Sequence, residues 1–365
     1  MKIIVITKHY VKNYGSVLQT YATQELLKRN KNEVIIANYV LPQSAGMRYM
    51  DVVLRKHTSR LKRGIFKIIL LPTMLRWEKV FGGFLKKYVN VYGDPAGDCA
   101  ALERELPEAD LYCTGSDQVW NPQTNGDLQP PYFCEFAKEG KERVSFAASF
   151  GVKQVDEKYE AALKSYLEKY SALSVRETSG VRMIERMGMQ AVEILDPVFA
   201  AGSEFWARFA GKRKIKKSYV LVYQLNSSKK FDSYAKWASE KLGKQLVRVC
   251  TRYDQIVKNG KSVLIPSVEE WISLFYYADY VITDSFHGTV FSLLFEKEFV
   301  SIYPPKFSER IENLLSMVKL EDRHVAEDDR PELPKNKIDY KEVNKILENE
   351  RQKTNEFIDL ILKDK

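Results

Sequence analysis

The sequence predicts an α/β chain of two Rossmann-like, doubly wound domains facing a cleft, and three observations carry that expectation. Short apolar runs that read as buried strands alternate, from Lys2 to Met317, with segments whose apolar residues recur at helical spacing. The alternation pauses between Ala200 and Lys217, a stretch that ends in the polar run Gly211-Lys212-Arg213-Lys214. The chain's 365 residues are enough to bury two cores. The expected domains are 1–200, carrying a basic helical insertion at 47–89, and 201–338, followed by a C-terminal helix over 339–365.

In the first domain, Lys2 to Thr7 reads as a strand, followed by the loop His9 to Ser16, a helix from Val17 to Arg29 and a strand from Glu33 to Tyr39. No G-x-G-x-x-G follows the first strand, so a dinucleotide fingerprint is absent. Asn13 and Gly15 sit where such a unit exposes its first loop to ligand, although turn formation alone also explains the pair. Ala109 to Cys113 is the next strand and leads into Thr114-Gly115-Ser116-Asp117-Gln118-Val119-Trp120-Asn121-Pro122. Asp117 and Trp120 there combine a carboxylate with an indole face, which suits a sugar's hydroxyls and C–H surface, while turn residues give similar strings by chance. Arg143 to Ser149 and Ala172 to Val175 read as strands around a helix from Val155 to Lys169. Arg176, at the end of the second of these strands, has a planar fork suited to a carboxylate or phosphate, or to a structural ion pair with Glu177. Val192 to Leu195 then closes the domain at Asp196-Pro197.

The second domain opens with strands Tyr219 to Gln224, Gln245 to Val249 and Val263 to Ile265, interleaved with helices Phe231 to Leu242 and Val268 to Tyr277. Next comes the stretch on which the functional reading turns. Tyr280 to Ile282 is a buried strand, Thr283 to His287 a short turn, and from Gly288 the apolar residues Val290, Phe291, Leu293 and Leu294 fall at helical spacing. A helix start at the carboxyl end of such a strand favours an anion, and His287 at its mouth is placed to donate a hydrogen bond or move a proton. Capping a turn is its bland alternative. Phe299 to Tyr303, Ser308 to Met317 with Arg310, and a tail helix from Tyr340 to Leu362 complete the chain.

Composition narrows the class. The chain is 45% hydrophobic and 29% charged, as ordinary globular proteins are. Its net charge of +9 is concentrated between Met47 and Val89, where eleven Lys and Arg stand against Asp51 and Glu78. Charge confined to one segment, without aromatic and basic interleaving, argues against nucleic acid as a partner. The segment also joins the basic cluster Arg60, Lys62, Arg63 to an apolar run, Ile65 to Leu71, which suits either a surface helix touching anionic lipid or a packed insertion with a solvated basic face. Cys99, Cys113, Cys134 and Cys250 are widely spaced and form no metal or disulfide pattern. The apolar run at Met1 to Thr7 is too short for a signal peptide, so the expected location is the cytoplasm, with peripheral contact at the membrane's inner face.

Six strings occur in order: Asn13-Tyr14-Gly15-Ser16-Val17-Leu18-Gln19-Thr20-Tyr21-Ala22, Gly115-Ser116-Asp117-Gln118-Val119-Trp120-Asn121, Ser145-Phe146-Ala147-Ala148-Ser149-Phe150-Gly151, Ser174-Val175-Arg176-Glu177, Leu195-Asp196-Pro197 and Thr283-Asp284-Ser285-Phe286-His287-Gly288. Together they resemble the polysaccharide pyruvyl transferase family. That resemblance implies a GT-B-like fold, phosphoenolpyruvate as donor with neither cofactor nor metal, and a sugar hydroxyl pair, on a lipid-linked precursor, as acceptor. It makes His287 the catalytic residue and Arg176 a donor ligand beside Ser285 and Gly288, with Asn13, Tyr14, Gly15, Asp117 and Trp120 on the acceptor side. Many members have Arg where this chain has Ser285, so a second cation is expected elsewhere: Arg310 first, then Arg248, Arg252 or Lys306. The competing readings are a GT-B glycosyltransferase using a nucleotide sugar, from Gly288, the following helix and Glu296, and a non-catalytic glycan-binding protein.

Overall fold

The computed structural model describes residues 1–41, 60–304, 308–326 and 331–363, with 60–66 described by backbone alone. The chain forms two compact units. Unit 1 draws on Met1–His57, Gly82–Ala201 and Asn349–Lys365, and unit 2 on Thr58–Phe81 and Gly202–Glu348.

Strands β1 (Lys2–Ile6), β2 (Glu33–Tyr39), β3 (Val91–Ala96), β4 (Leu111–Thr114) and β5 (Glu142–Ser145) make a parallel sheet in the order β3-β2-β1-β4-β5. The short pair β6 (Ser174–Val175) and β7 (Val192–Glu193) lies beyond β5, joined through the Val144–Ala172 bridge. Unit 2 holds β8 (Tyr219–Tyr223), β9 (Gln245–Cys250), β10 (Lys261–Leu264), β11 (Tyr280–Thr283) and β12 (Glu298–Ser301), again parallel, in the order β10-β9-β8-β11-β12. Helices α1 (Tyr14–Leu27), α2 (Arg60–Trp77), α3 (Cys99–Glu105), α4 (Thr178–Arg186), α5 (Lys229–Lys241), α6 (Val268–Tyr276), α7 (Phe286–Leu294), α8 (Glu309–Met317) and α9 (Tyr340–Ile361) follow in the chain. Ile3 to Ile6, Tyr219 to Tyr223 and Tyr280 to Thr283 are buried throughout, as central strands covered on both faces must be.

In both sheets the strand order reverses between two central strands, β1 and β4 in unit 1, β8 and β11 in unit 2. Ligands of open parallel sheets bind outside the carboxyl ends of strands at such a reversal. The loops after these four strands are therefore where function is to be sought.

Three departures from the sequence reading have local causes. The first helix begins at Tyr14, not Val17, because the Asn13 side chain accepts from the Gly15 amide at 2.8 Å and caps it. The strand expected through Ser149 stops at Ser145, where the Ser145 hydroxyl donates to the Ser174 carbonyl at 2.9 Å and Ala147 turns to φ +52°. The basic insertion does not belong wholly to the first domain: α2 packs within unit 2. The Trp77 indole N–H donates to the Thr251 carbonyl at 2.7 Å, Arg76 Nε donates to the Ile265 carbonyl at 3.1 Å, and the Thr73 hydroxyl accepts from the Tyr253 amide at 3.2 Å. The remainder of that insertion, 47–59, lies outside the described residues.

The four cysteines are unpaired, and Cys113, Cys134 and Cys250 are buried. Burial pushes the Cys99 thiol up to about 12 and the Cys134 thiol to about 11.

Trp77 is the buried anchor by which α2 joins unit 2. Trp77→Ala is expected to cost about 3 to 5 kcal/mol through lost packing and an orphaned carbonyl. Urea unfolding monitored by circular dichroism checks this, and an unchanged midpoint would remove the anchoring role.

Candidate active site

At the β1/β4 reversal, the Thr7 hydroxyl donates to the Ser116 carbonyl at 2.7 Å and ties the two strand ends together. The Ser16 hydroxyl, in the first turn of α1, donates to Asp117 Oδ2 at 2.8 Å. Asp117 itself has φ +73°, and its Oδ1 accepts from the Gln118 amide at 2.8 Å, which holds the turn in the left-handed region.

Arg176 lies at the centre of this cluster with its side chain 1% exposed. It pairs with Asp196 at 2.5 Å, Asp117 at 3.4 Å and Glu177 at 3.9 Å, and donates to the Ser116 hydroxyl at 3.3 Å. Burial works against its charge, but the carboxylates of Asp196, Asp117 and Glu177 outweigh that and raise its pKa above the ordinary arginine value. Each carboxylate in turn holds backbone or a hydroxyl. Asp196 Oδ1 accepts from the Val198 amide at 2.9 Å, and Glu177 Oε1 accepts from Ser149 Oγ, the Phe150 amide and the Gly151 amide at 2.8, 2.7 and 3.0 Å. Gly151 has φ +65°, and a Cβ there would come within 2.6 Å of the Gln118 side chain. Beside this cluster, His9 is buried, with Nε2 3.2 Å from Asn38 Oδ1, and burial lowers its pKa.

Several expected roles change here. Arg176 is paired with three carboxylates of its own unit, which is the structural ion pair that the sequence reading held open beside the donor-ligand role. Trp120 is 0% exposed, stacked on Phe133 with ring centres 5.7 Å apart and tilted against Phe150 at 5.3 Å. Its N–H donates to the Tyr132 carbonyl at 3.1 Å, so the indole is core and offers no face to a sugar. Tyr14 and Gly15 are likewise buried, and Asn13 serves as the α1 cap.

In unit 2, Asp284 spans the β8/β11 reversal. It accepts from the Leu225 amide at 2.6 Å and from the Asn226 amide at 2.7 Å, and its pKa is raised, burial outweighing these bonds. Ser285 caps α7, its Oγ accepting from the Gly288 amide at 3.3 Å. Gly288 packs α7 onto β11: a Cβ at this position would lie 2.2 Å from Thr283 Oγ1. His287 is therefore within the first turn of α7, one residue further into the helix than its mouth, and is mostly buried.

Among the second cations, Arg310 on α8 is brought to this turn, its guanidinium 5.4 Å from the Phe286 ring centre. Arg248 is buried against Asp232 at 2.9 Å and Gln224 Oε1 at 2.9 Å, and burial lowers its pKa. Arg252 makes a two-toothed pair with Asp254 at 2.8 and 2.6 Å. Lys306 lies outside the described residues. Among the described residues no group of three or more His, Cys, Asp or Glu is arranged to hold a metal ion. A cavity of about 580 Å³ lined by Phe209, Ile215, Leu264 and Leu274 lies in unit 2 beside the edge strand β10, and none of the motif residues lines it.

The family model described as polysaccharide pyruvyl transferase matches residues 13–305, which contain both clusters. The chain belongs to that family. No curated protein matches this pyruvyl transferase in sequence. Among solved structures it is similar to Arabidopsis thaliana UGT89C1, at 12% identity over 99% of both chains with a TM-score of 0.50. It is similar to the same protein complexed with UDP-L-rhamnose, at 11% identity over 99% of this chain and 98% of that one, TM-score 0.51. A putative UDP-N-acetylglucosamine 2-epimerase from Listeria monocytogenes resembles it at 9% identity over 97% and 90% of the two chains, TM-score 0.51. At such identities the likeness is one of fold, GT-B-like with two Rossmann-like sheets.

Sequence reasoning gave no role to Ser16, Ser116, Asp196 or Asp284, though each stood in a motif. Their signal was an acid or hydroxyl at the carboxyl end of a strand, which composition alone does not separate from turn chemistry.

Arg176→Ala would leave three carboxylates facing one another without their cation, and is expected to destabilise unit 1 by about 3 to 5 kcal/mol. A urea midpoint close to that of the parent would contradict the crosslink. Trp120→Ala is expected to cost a similar amount, about 3 to 5 kcal/mol. The readout that separates core from sugar platform is thermal unfolding without any glycan present, where a platform residue would leave the transition unmoved.

Proposed function

We propose that this pyruvyl transferase moves the pyruvyl group of phosphoenolpyruvate onto a hydroxyl pair of a sugar in a lipid-linked polysaccharide precursor, forming a cyclic ketal and releasing phosphate. One observation carries the reading. His287 and Arg310 converge on the first turn of α7, at the end of a buried strand and beside a sheet's reversal point.

The donor carries a phosphate and a carboxylate, so its site needs fixed positive potential. The amides of Phe286 and His287 in the first turn of α7 and the guanidinium of Arg310 supply it. Asp284 keeps the loop after β8 in place around them. His287 serves as the proton carrier. A proton delivered to the methylene carbon makes the adjacent carbon electrophilic, and one sugar hydroxyl adds there and gives up its own proton. Phosphate then leaves with the C–O bonding pair, and the second hydroxyl closes the ring as its proton is taken up. Two hydroxyl hydrogens are consumed, one as the new methyl hydrogen and one on departing phosphate, so the exchange balances with no redox partner. In unit 1, Asn13 and Asp117 at the sheet's reversal are polar groups proposed to bind sugar hydroxyls.

The test is phosphate release from phosphoenolpyruvate in the presence of lipid-linked oligosaccharides, with thermal shift by phosphoenolpyruvate and by nucleotide sugars in parallel. A shift by nucleotide sugars alone would favour a glycosyltransferase, and no shift by either would favour a glycan-binding protein. His287→Ala is expected to lower turnover by roughly two to four decades without unfolding the protein. Arg310→Ala is expected to weaken donor binding by roughly one to two decades in calorimetry. Unchanged affinity would move the second cation elsewhere.

A further inference from the structure

Helix α2 presents the opposite of ordinary surface chemistry. Its inward positions Thr73 and Trp77 bond to unit 2, yet its outward positions are apolar: Ile68 is 74% exposed, Leu75 65%, and Ile69 and Leu71 are also exposed. Ile68, Leu71 and Leu75 follow the i, i+3, i+7 spacing of a single helical face. The 3₁₀ turn Tyr253–Val257 packs on α2 and leaves Ile256 and Val257 exposed as well, Val257 at 86%. A globular surface helix turns its apolar stripe inward, so an outward stripe reinforced by a neighbouring turn marks a docking surface.

Charge selects the occupant. From Arg60 to Trp77 the sequence contains Arg60, Lys62, Arg63, Lys67 and Arg76 and no acidic residue. A second copy meeting this helix about a two-fold axis would set cations against cations. The stretch 42–59 adds Arg48, Arg55 and Lys56 against Asp51, so the same sign extends upstream in sequence. Among the described residues no helix is long and apolar enough to cross a membrane. Apolar side chains combined with an excess of basic residues in an element too charged to insert are the features of an interfacial contact.

We infer that α2 and the Tyr253–Val257 turn form a surface by which unit 2 lies on an anionic lipid bilayer, with Ile68, Leu75 and Val257 entering the headgroup region. This goes beyond the transfer reaction, and its test requires no activity. The full chain is mixed with phosphatidylcholine vesicles containing roughly one third phosphatidylglycerol and with vesicles of phosphatidylcholine alone, then sedimented. The expected result is binding to the anionic vesicles, weaker binding to the neutral ones, and partial release by salt as screening removes the electrostatic share. Combined Ile68→Ser, Leu75→Ser and Val257→Ser is expected to lower the partition by roughly tenfold or more, with circular dichroism and melting unchanged because these side chains are already in water. Val192→Ser, at an exposed apolar position of unit 1, is the control and is expected to bind as the parent does. Equal binding by the triple variant, or no binding to anionic vesicles, would overturn the inference. So would a dimer in light scattering that the triple variant abolishes.

Discussion

Unit 1 depends on one buried cation. Arg176 meets Asp196, Asp117 and Glu177, and these carboxylates hold Ser16, Ser149 and the Gln118, Phe150, Gly151 and Val198 amides. Residues after β1, β4, β5, β6 and β7 are thereby referred to a single guanidinium. Stripped of its partners, such a group would be too costly to bury, and three carboxylates without it would repel one another. The arrangement is justified less by net stability than by register, since five loops cannot shift independently while one planar fork joins them. It also explains why five of the six motifs lie in this unit although the proposed proton carrier does not.

Unit 2 solves the same positioning problem without a buried cation in its turn. Asp284 receives backbone amides from the loop after β8, Ser285 caps α7 and Gly288 lets the helix approach β11. Because the acid's charge is directed at the β8 loop and the cap is a neutral hydroxyl, the helix's positive end is not cancelled by a carboxylate in its own first turn. Arg310 is drawn alongside the same turn, its guanidinium over the Phe286 ring.

The alternation of strands and helices, both sheets and the His287 turn were legible because buried parallel strands are short apolar runs and helices carry their own periodicity. β3 was missed because Val91 to Ala96 contains Gly93, Asp94 and Pro95 and is mostly exposed, an edge strand without the apolar signature. α3 and α4 are short, and their polar residues resemble loops. The site was only partly legible. A motif gives the order of residues but not which side chain turns inward, so Trp120 read as a platform when burial gives it an internal role, and Arg176 read equally as a clamp or as the ion pair that it forms. The placement of α2 was hidden for a similar reason: a basic, apolar helix announces a surface but not the unit on which it rests.

The buried thiols make the protein quiet towards sulfur chemistry. Only the thiolate reacts with maleimides or spin labels, and burial pushes the Cys99 and Cys134 thiols up, which lowers that fraction at neutral pH. Cys113 and Cys134 add physical enclosure to that. A cysteine introduced at a solvent-facing position of each unit would therefore be labelled ahead of the buried Cys113, Cys134 and Cys250. Distances between two such labels, measured by electron spin resonance or energy transfer with and without phosphoenolpyruvate, become accessible with these native cysteines left in place.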